Sequence, residues 1–239
     1  MNFVEVCFTP ILYNERTIKD NFAVVVVDIL RAKTSIFAAF ANDVLSIIPV
    51  TSIEEAKAYK EQGYLIASER GGKKLDFADF GNSAFSFMNE EVKGKTIVYS
   101  TTNGTEAIEI AKDSDVLVIG AFSNFDSLSQ WLINQNLNVV ILCSGWKNKF
   151  NLEDSIFAGA LTEKLINNSF TTECDSAKAA IDLWSIAKEN LLGYIEKAAH
   201  RDRLRKLNLD DVLDFSFKFN TANVVPVLKE GKLIDILKY

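Results

Sequence analysis

The chain has 239 residues, 48% of them hydrophobic and 24% charged, which is ample apolar material for a large core and too much for a disordered chain. Its 32 acidic and 26 basic residues leave a net charge of −6, so no basic face for nucleic acid is expected, and a small anionic ligand would need a local cationic pocket or a bound divalent metal. The single histidine, His200, excludes phosphatases built on a histidine nucleophile with a second catalytic histidine, and metal sites made of several histidines.

The start, Met1-Asn2-Phe3-Val4-Glu5, has no basic and then apolar region of the signal-peptide kind, and no apolar run approaches the roughly 20 residues of a membrane span. A soluble, cytoplasmic protein is expected. Cys7, Cys143 and Cys174 are far apart and odd in number, so they read as small buried hydrophobes in a reducing compartment, not as a disulfide framework.

In chain order, Val24 to Val27 are β-branched throughout and predict a strand buried on both faces, as in a parallel sheet. Ile36, Ala39 and Phe40 mark a helical face. Leu45 to Val50 predicts a strand. Ser52 with Glu55 makes a capping box that opens a helix from Ile53 to Gln62, and Gly63 stops it. Strands are then predicted at 64–67, 96–99, 116–119 and 139–143, with helices at 103–112, 126–134 and 152–166. Beyond about residue 170 the pattern turns helical: Ala180, Ile181, Trp184, Ala187 and Leu191 form one stripe, and 195–207 is charged and helical. Val224 to Leu228, the turn at Gly231 and Leu233 to Leu237 predict a terminal hairpin that rejoins the sheet, with Pro226 placing its strand at an edge or at an irregular start. The alternation predicts an α/β fold, a three-layer α/β/α arrangement with a mixed, mostly parallel sheet and a helical C-terminal segment. No repeat or linker divides the chain, so a single domain over 1–239 is expected, with a helix-rich insertion at about 170–215.

Open α/β sheets bind ligands beyond the carboxyl ends of their strands. Asp28 directly follows the four valines, which suits a magnesium ligand or a turn cap, and Arg31, Thr34 and Ser35 stand near a helix start where backbone N–H groups and hydroxyls can meet an anion. Glu69, Arg70, Gly71 and Gly72 follow the strand at 64–67. The glycines let backbone wrap a ligand, and the arginine can grip a phosphate with two donors. Asn82 lies in a further loop of turn formers. Thr101, Thr102, Asn103, Gly104 and Thr105 open a helix as an anion cradle, without the spacing of a Walker A loop. Ser144-Gly145-Trp146-Lys147 follows the strand at 139–143, and Glu153 and Asp154 start the next helix as metal ligands or dipole partners. His200 reads as a surface or structural residue of a charged helix. Cys143 is no Cys-x5-Arg nucleophile, because position 149 is lysine.

Together these segments resemble the 2-phosphosulfolactate phosphatase family. The resemblance rests on Asp28 to Ala32, Glu69 to Gly72, Gly81-Asn82-Ser83, Thr101 to Thr105, Cys143-Ser144-Gly145, Glu153-Asp154 with Ala158-Gly159-Ala160, and Val225-Pro226-Val227, in family order over nearly the whole chain. It implies a phosphoric monoester hydrolase, dependent on Mg²⁺, that converts 2-phospho-3-sulfolactate to sulfolactate and phosphate, a biosynthetic step where coenzyme M is made. To offset the charge of such a substrate, the expected metal ligands are Asp28 and one or more of Glu69, Glu153 and Asp154. Arg31, Arg70 and the Thr101–Thr105 segment would hold anionic oxygens, as would Thr34, Ser35, Gly71, Gly72 and Asn82. The chain departs from the family's pattern at Lys33, Ser68 and Ala84, and at Ser216 and Asn220, where a late Cys and Asp are usual. Two other readings stay open: a phosphatase for another small phosphorylated acid, and an inactive binder of an anionic metabolite. The expected partner is a small anionic phosphorylated substrate, with no nucleic acid and no membrane. Assembly into a homo-oligomer is left open.

Overall fold

The computed structural model describes residues 1–30, 32–101, 104–207, 209 and 213–239. Its strands are β1 (Asn2–Cys7), β2 (Phe22–Val27), β3 (Ser46–Pro49), β4 (Leu65–Arg70), β5 (Lys73–Lys74), β6 (Thr96–Ser100), β7 (Val116–Gly120), β8 (Asn138–Cys143), β9 (Phe170–Thr171), β10 (Pro226–Lys229) and β11 (Lys232–Asp235). The helices are α1 (Pro10–Tyr13), α2 (Ala32–Ala41), α3 (Ile53–Glu61), α4 (Gly104–Ala111), α5 (Phe125–Gln135), α6 (Leu152–Ile166), α7 (Asp175–Ala187), α8 (Leu191–Ile195), α9 (Ala199–Lys206) and α10 (Leu213–Ser216). The strands form one mixed, mostly parallel sheet in the order β5-β4-β6-β3-β11-β10-β7-β2-β8-β1-β9.

The valine strand lies deep in this sheet. Every residue of β2 is buried, with Val24 opposite Leu117 of β7 on one side and Val140 of β8 on the other, both parallel. Valine suits this place because its branched side chain packs against neighbours on both pleated faces. α3 starts as the capping box requires, with the Ser52 hydroxyl accepting from the Glu55 N–H at 3.0 Å.

The terminal hairpin does rejoin the sheet, but at its centre. β10 pairs antiparallel with β7 (Val227 opposite Val118), and β11 pairs antiparallel with β3 (Leu233 opposite Ile47). The edge position that Pro226 suggested is therefore incorrect. Pro226 is the first residue of β10, where its missing N–H breaks no ladder. The strand β1 was not foreseen. Glu5 interrupts its apolar pattern, yet the side chain is buried because its carboxylate accepts the N–H groups of Thr17 and Ile18 at 3.0 Å. The charged helical segment predicted at 195–207 is filled mainly by α9, with α8 ending at its first residue.

Three successive antiparallel joints, β3/β11, β11/β10 and β10/β7, leave the parallel blocks β4-β6-β3 and β7-β2-β8-β1-β9 running in opposite senses. In a flat sheet the ends of β2 and β4 would face opposite rims. Six strand-to-strand steps separate them, and at about 20–25° of twist each these accumulate roughly 120–150°. That rotation turns the carboxyl end of β4 back toward the carboxyl end of β2.

α6 is buried on nearly every side and packs on α7 through Gly159. A Cβ there would stand 1.9 Å from the Ala180 carbonyl oxygen, so only glycine lets the helices approach so closely. Among the described residues no helix is long and apolar enough to cross a membrane.

Candidate active site

A cavity of about 320 Å³ opens where the ends of β2, β4, β6 and β8 meet the helix α9. The sequence-predicted residues Asp28, Glu69, Arg70, Gly71, Gly72, Asn82 and Thr101 all line it, drawn from loops up to 73 positions apart. Gly71 and Gly72 have φ of 64° and 91°, the left-handed region that favours glycine, and the side chains of Leu207 and Leu209 close directly over Gly72. Residues just past the end of α9 thereby cover the glycine turn.

Two buried carboxylates tie the loops together. Glu69 accepts from the Asn82 amide at 2.7 Å and from the Gly72 N–H, and the Ser35 hydroxyl donates to the Asn82 carbonyl. The ends of β4, the loop at 81–83 and the start of α2 thus share one network. Asp154, fully buried, accepts from the Ile29 N–H at 2.8 Å, the Gly145 N–H at 3.2 Å and the Asn151 amide at 3.0 Å, which joins the ends of β2 and β8. Burial foremost, then the charges of Asp28 and Glu153, push the Asp154 carboxyl well above the usual carboxylate range.

Glu153 is also fully buried. Its Oε1 accepts from Asn151 at 3.2 Å and lies 2.7 Å from Nδ1 of His200, while its Oε2 has no hydrogen-bond partner among the described residues. Neither Glu153 nor Asp154 reaches the cavity wall. Both stand behind it, and Asp28 and His200 are the side chains that face it. Among the described residues no three or more His, Cys, Asp or Glu side chains form a group able to hold a metal ion.

Arg70 lines the cavity with most of its donors committed. Nη1 donates to the carbonyls of Glu69 (2.7 Å) and Ser100 (3.0 Å), and Nη2 to the Thr51 carbonyl (3.0 Å) and the Ser100 hydroxyl (2.9 Å). Four of the five N–H donors of a guanidinium are therefore in use. Arg70 offers the cavity its positive charge more than an open fork. Burial lowers its pKa from the ordinary arginine value, against the opposing charges of Glu69 and Glu54. Thr101, by contrast, is buried against the cavity with a hydroxyl that has no partner among the described residues. An unpaired buried hydroxyl is costly unless a ligand or water completes it.

Other predicted anion-binding residues are engaged elsewhere. The Thr34 hydroxyl donates to the Ile29 carbonyl at 2.9 Å and lies 3.3 Å from the Ser216 hydroxyl. The Thr105 hydroxyl donates to the Thr101 carbonyl at 2.7 Å, and Gly104, buried, opens α4. Thr34, Ser35, Gly104 and Thr105 do not form the cavity wall. Arg31, Thr102 and Asn103 lie outside the described residues. The departures Ser216 and Asn220 do not line the cavity either. Ser216 is buried beside Thr34, and Asn220 accepts the Asp126 N–H at 2.9 Å and donates to the Asp126 carboxylate at 2.6 Å. No cysteine lines the cavity, and burial pushes the Cys7 thiol up to about 12 and that of Cys143 well above its usual value, which disfavours either as a nucleophile.

The polar and aromatic lining residues not predicted as site residues are Trp146, Lys147, His200 and Arg203; Leu30, Leu204 and Leu207 complete the wall. His200 is far from a surface residue, its side chain being 9% exposed. Trp146 and Lys147 carried a signal, since they follow a strand end. His200 and Arg203 carried none locally, because α9 comes from the helical segment and only the fold brings it over the glycine turn.

A family model described as 2-phosphosulpholactate phosphatase matches residues 7–231. The chain is 33% identical over 222 residues to the probable 2-phosphosulfolactate phosphatase of Caldanaerobacter subterraneus subsp. tengcongensis, covering 91% of this chain and 92% of that protein. It is 38% identical over 215 residues to the protein of the same name in Prochlorococcus marinus, covering 86% and 88%, and 36% identical over 217 residues to that of Carboxydothermus hydrogenoformans, covering 89% of each. With a match of this extent laid over a cavity that gathers the motif residues of β2, β4 and β6, the chain belongs to the 2-phosphosulpholactate phosphatase family of phosphoric monoester hydrolases.

Proposed function

We propose that the protein hydrolyses the phosphate monoester of 2-phospho-3-sulfolactate, releasing sulfolactate and inorganic phosphate, with Mg²⁺ as its cofactor. The observation that carries this reading is the composition of the cavity. Asp28, three cations (Arg70, Lys147 and Arg203) and the unpartnered Thr101 hydroxyl meet in a space sized for a small, highly charged molecule.

The residues present fit a magnesium ion. Mg²⁺ commonly takes one or two protein carboxylates and completes its six positions with water and phosphate oxygens, so a pair suffices and no protein cage is needed. Asp28 at the wall is the carboxylate best placed, and the Oε2 of Glu153 is a further open oxygen, whereas both oxygens of Asp154 already accept from Ile29, Gly145 and Asn151. Glu69 fits less well, since both its oxygens already order Gly72 and Asn82. When bound, the ion supplies charge neutralisation on the phosphoryl group.

The chain's own residues do the rest. The Thr101 hydroxyl donates to a phosphoryl oxygen, and the Gly71–Gly72 backbone lies close against the bound group. Arg70 adds fixed positive charge where negative charge is spread over the phosphoryl oxygens in a loose transition state. His200, oriented by Glu153 through Nδ1, turns its other ring nitrogen to a hydrogen bond with an oxygen of the reacting ester. The oxygen of water bonds to phosphorus as the bond from phosphorus to the ester oxygen breaks; one water proton stays on the released phosphate and the other ends on the ester oxygen, which leaves as the sulfolactate hydroxyl.

The test is phosphate release from a panel of 2-phospho-3-sulfolactate, phospholactate and phosphoglycolate, each with Mg²⁺ and with EDTA. Fastest turnover of the sulfonated substrate, lost in EDTA and restored by Mg²⁺, is expected. Preference for another acid in the panel would reassign the substrate, and full activity in EDTA would remove the metal.

A further inference from the structure

We propose that Trp146, Lys147 and Arg203 form a second anion-binding subsite, which holds the sulfonate of the substrate while the Asp28 end of the cavity holds its phosphate. The proposal rests on the phosphatase reading for the identity of the substrate. The subsite itself rests on the geometry of one wall.

That wall is a cationic stack. The Lys147 ammonium lies 4.9 Å from the centre of the Trp146 ring and the Arg203 guanidinium 5.1 Å from it, so one indole positions two cations beside the cavity. Among the described residues neither cation has a carboxylate partner, in contrast to the rest of α9. Arg201 and Arg205, on the same helix, pair with Glu196 at 3.4 and 2.6 Å. The arginine facing the cavity is left for a ligand.

The backbone gives a second, independent sign. Trp146 and Lys149 exchange N–H···O bonds of 3.0 Å in both directions, closing a two-residue turn. Its central residues, Lys147 and Asn148, have φ of 51° and 58°, as in a type I′ turn. Such turns favour asparagine and glycine, and lysine is disfavoured in the left-handed region. A lysine that lines the cavity from an unfavourable position suits a need for charge there over turn stability.

The phosphate end would draw on Asp28, through the cation it would hold, and on Thr101 and Arg70. A substrate with one anion would leave the Lys147–Arg203 wall unsatisfied. A three-carbon acid bearing a phosphate and a sulfonate spans the cavity and offsets charge at both ends.

The experiment reads binding apart from catalysis. Sulfolactate and lactate are titrated calorimetrically into the wild-type protein and into Lys147→Asn, Arg203→Gln and Arg203→Lys, and KM for 2-phospho-3-sulfolactate is measured in parallel. Sulfolactate should bind the wild type well and lactate much more weakly. Lys147→Asn and Arg203→Gln should each raise the sulfolactate Kd and the KM about tenfold, with Arg203→Lys recovering part of the loss. Lys147→Asn should also raise Tm by about 1–4 °C, which a misfolded variant would not do. Wild-type protein that binds lactate as tightly as sulfolactate, or variants with sulfolactate Kd within twofold of wild type, would overturn the subsite. Binding losses as expected, in a protein that releases phosphate from no monoester, would leave the subsite standing and remove the phosphatase reading alone.

Discussion

The pair His200–Glu153 shows how a side chain acquires a role from its surroundings. A lone histidine in His200-Arg201-Asp202-Arg203 has nothing in its neighbours to mark it, yet a fully buried carboxylate 47 positions away fixes its Nδ1 at 2.7 Å and leaves the other ring edge to the cavity. Removing that edge should impair the reaction more than binding. His200→Gln is expected to lower kcat about 100-fold with KM changed less than threefold, measured by steady-state phosphate release from 2-phospho-3-sulfolactate. A kcat within twofold of wild type would show that the ring only packs. Asp28 is the opposite case. Its place after four valines marked it in the sequence, because a strand buried on both faces must deliver its next residue to the rim. Glu69 lies between the two: it was legible as a site residue, but its commitment to Gly72 and Asn82 is visible only in three dimensions.

Among the elements, those with strong local chemistry could be read directly. The capping box of α3, the valine strand β2 and the hairpin β10–β11 follow from propensity, capping and turn residues over a few positions. β1 could not be read so, because what makes its Glu5 tolerable is a pair of backbone N–H groups 12 and 13 residues on. The central place of β10 depends on which strands it meets, which no local pattern encodes. α6 shows the same limit. Its apolar stripe was legible, but its burial on nearly all sides comes from α7, admitted by Gly159. Gly159→Ala gains helix propensity but places a methyl group against the Ala180 carbonyl, so overpacking should dominate at about 1–3 kcal/mol. Thermal denaturation should show Tm lowered by several degrees. An unchanged or raised Tm would mean that the two helices can part without cost.

At the scale of the whole molecule, the site exists because a long twisted sheet brings the carboxyl ends of two opposed parallel blocks to one place, where α9 roofs them. The sequence predicted the ingredients, strand ends rich in acids, hydroxyls and glycines. It predicted a mixed sheet but not that three successive antiparallel joints and their accumulated twist would assemble them. The central claim is that Asp28, carried to this meeting point by β2, holds the magnesium ion on which phosphate release depends. It is tested most directly by titrating Mg²⁺ into metal-stripped wild-type and Asp28→Asn protein, following both ion binding by calorimetry and phosphate release from 2-phospho-3-sulfolactate. The account predicts saturable binding and Mg²⁺-dependent turnover in the wild type, with binding weakened at least tenfold and turnover reduced at least 100-fold in Asp28→Asn at unchanged fold. Asp28→Asn protein that binds Mg²⁺ and turns over like wild type would contradict it.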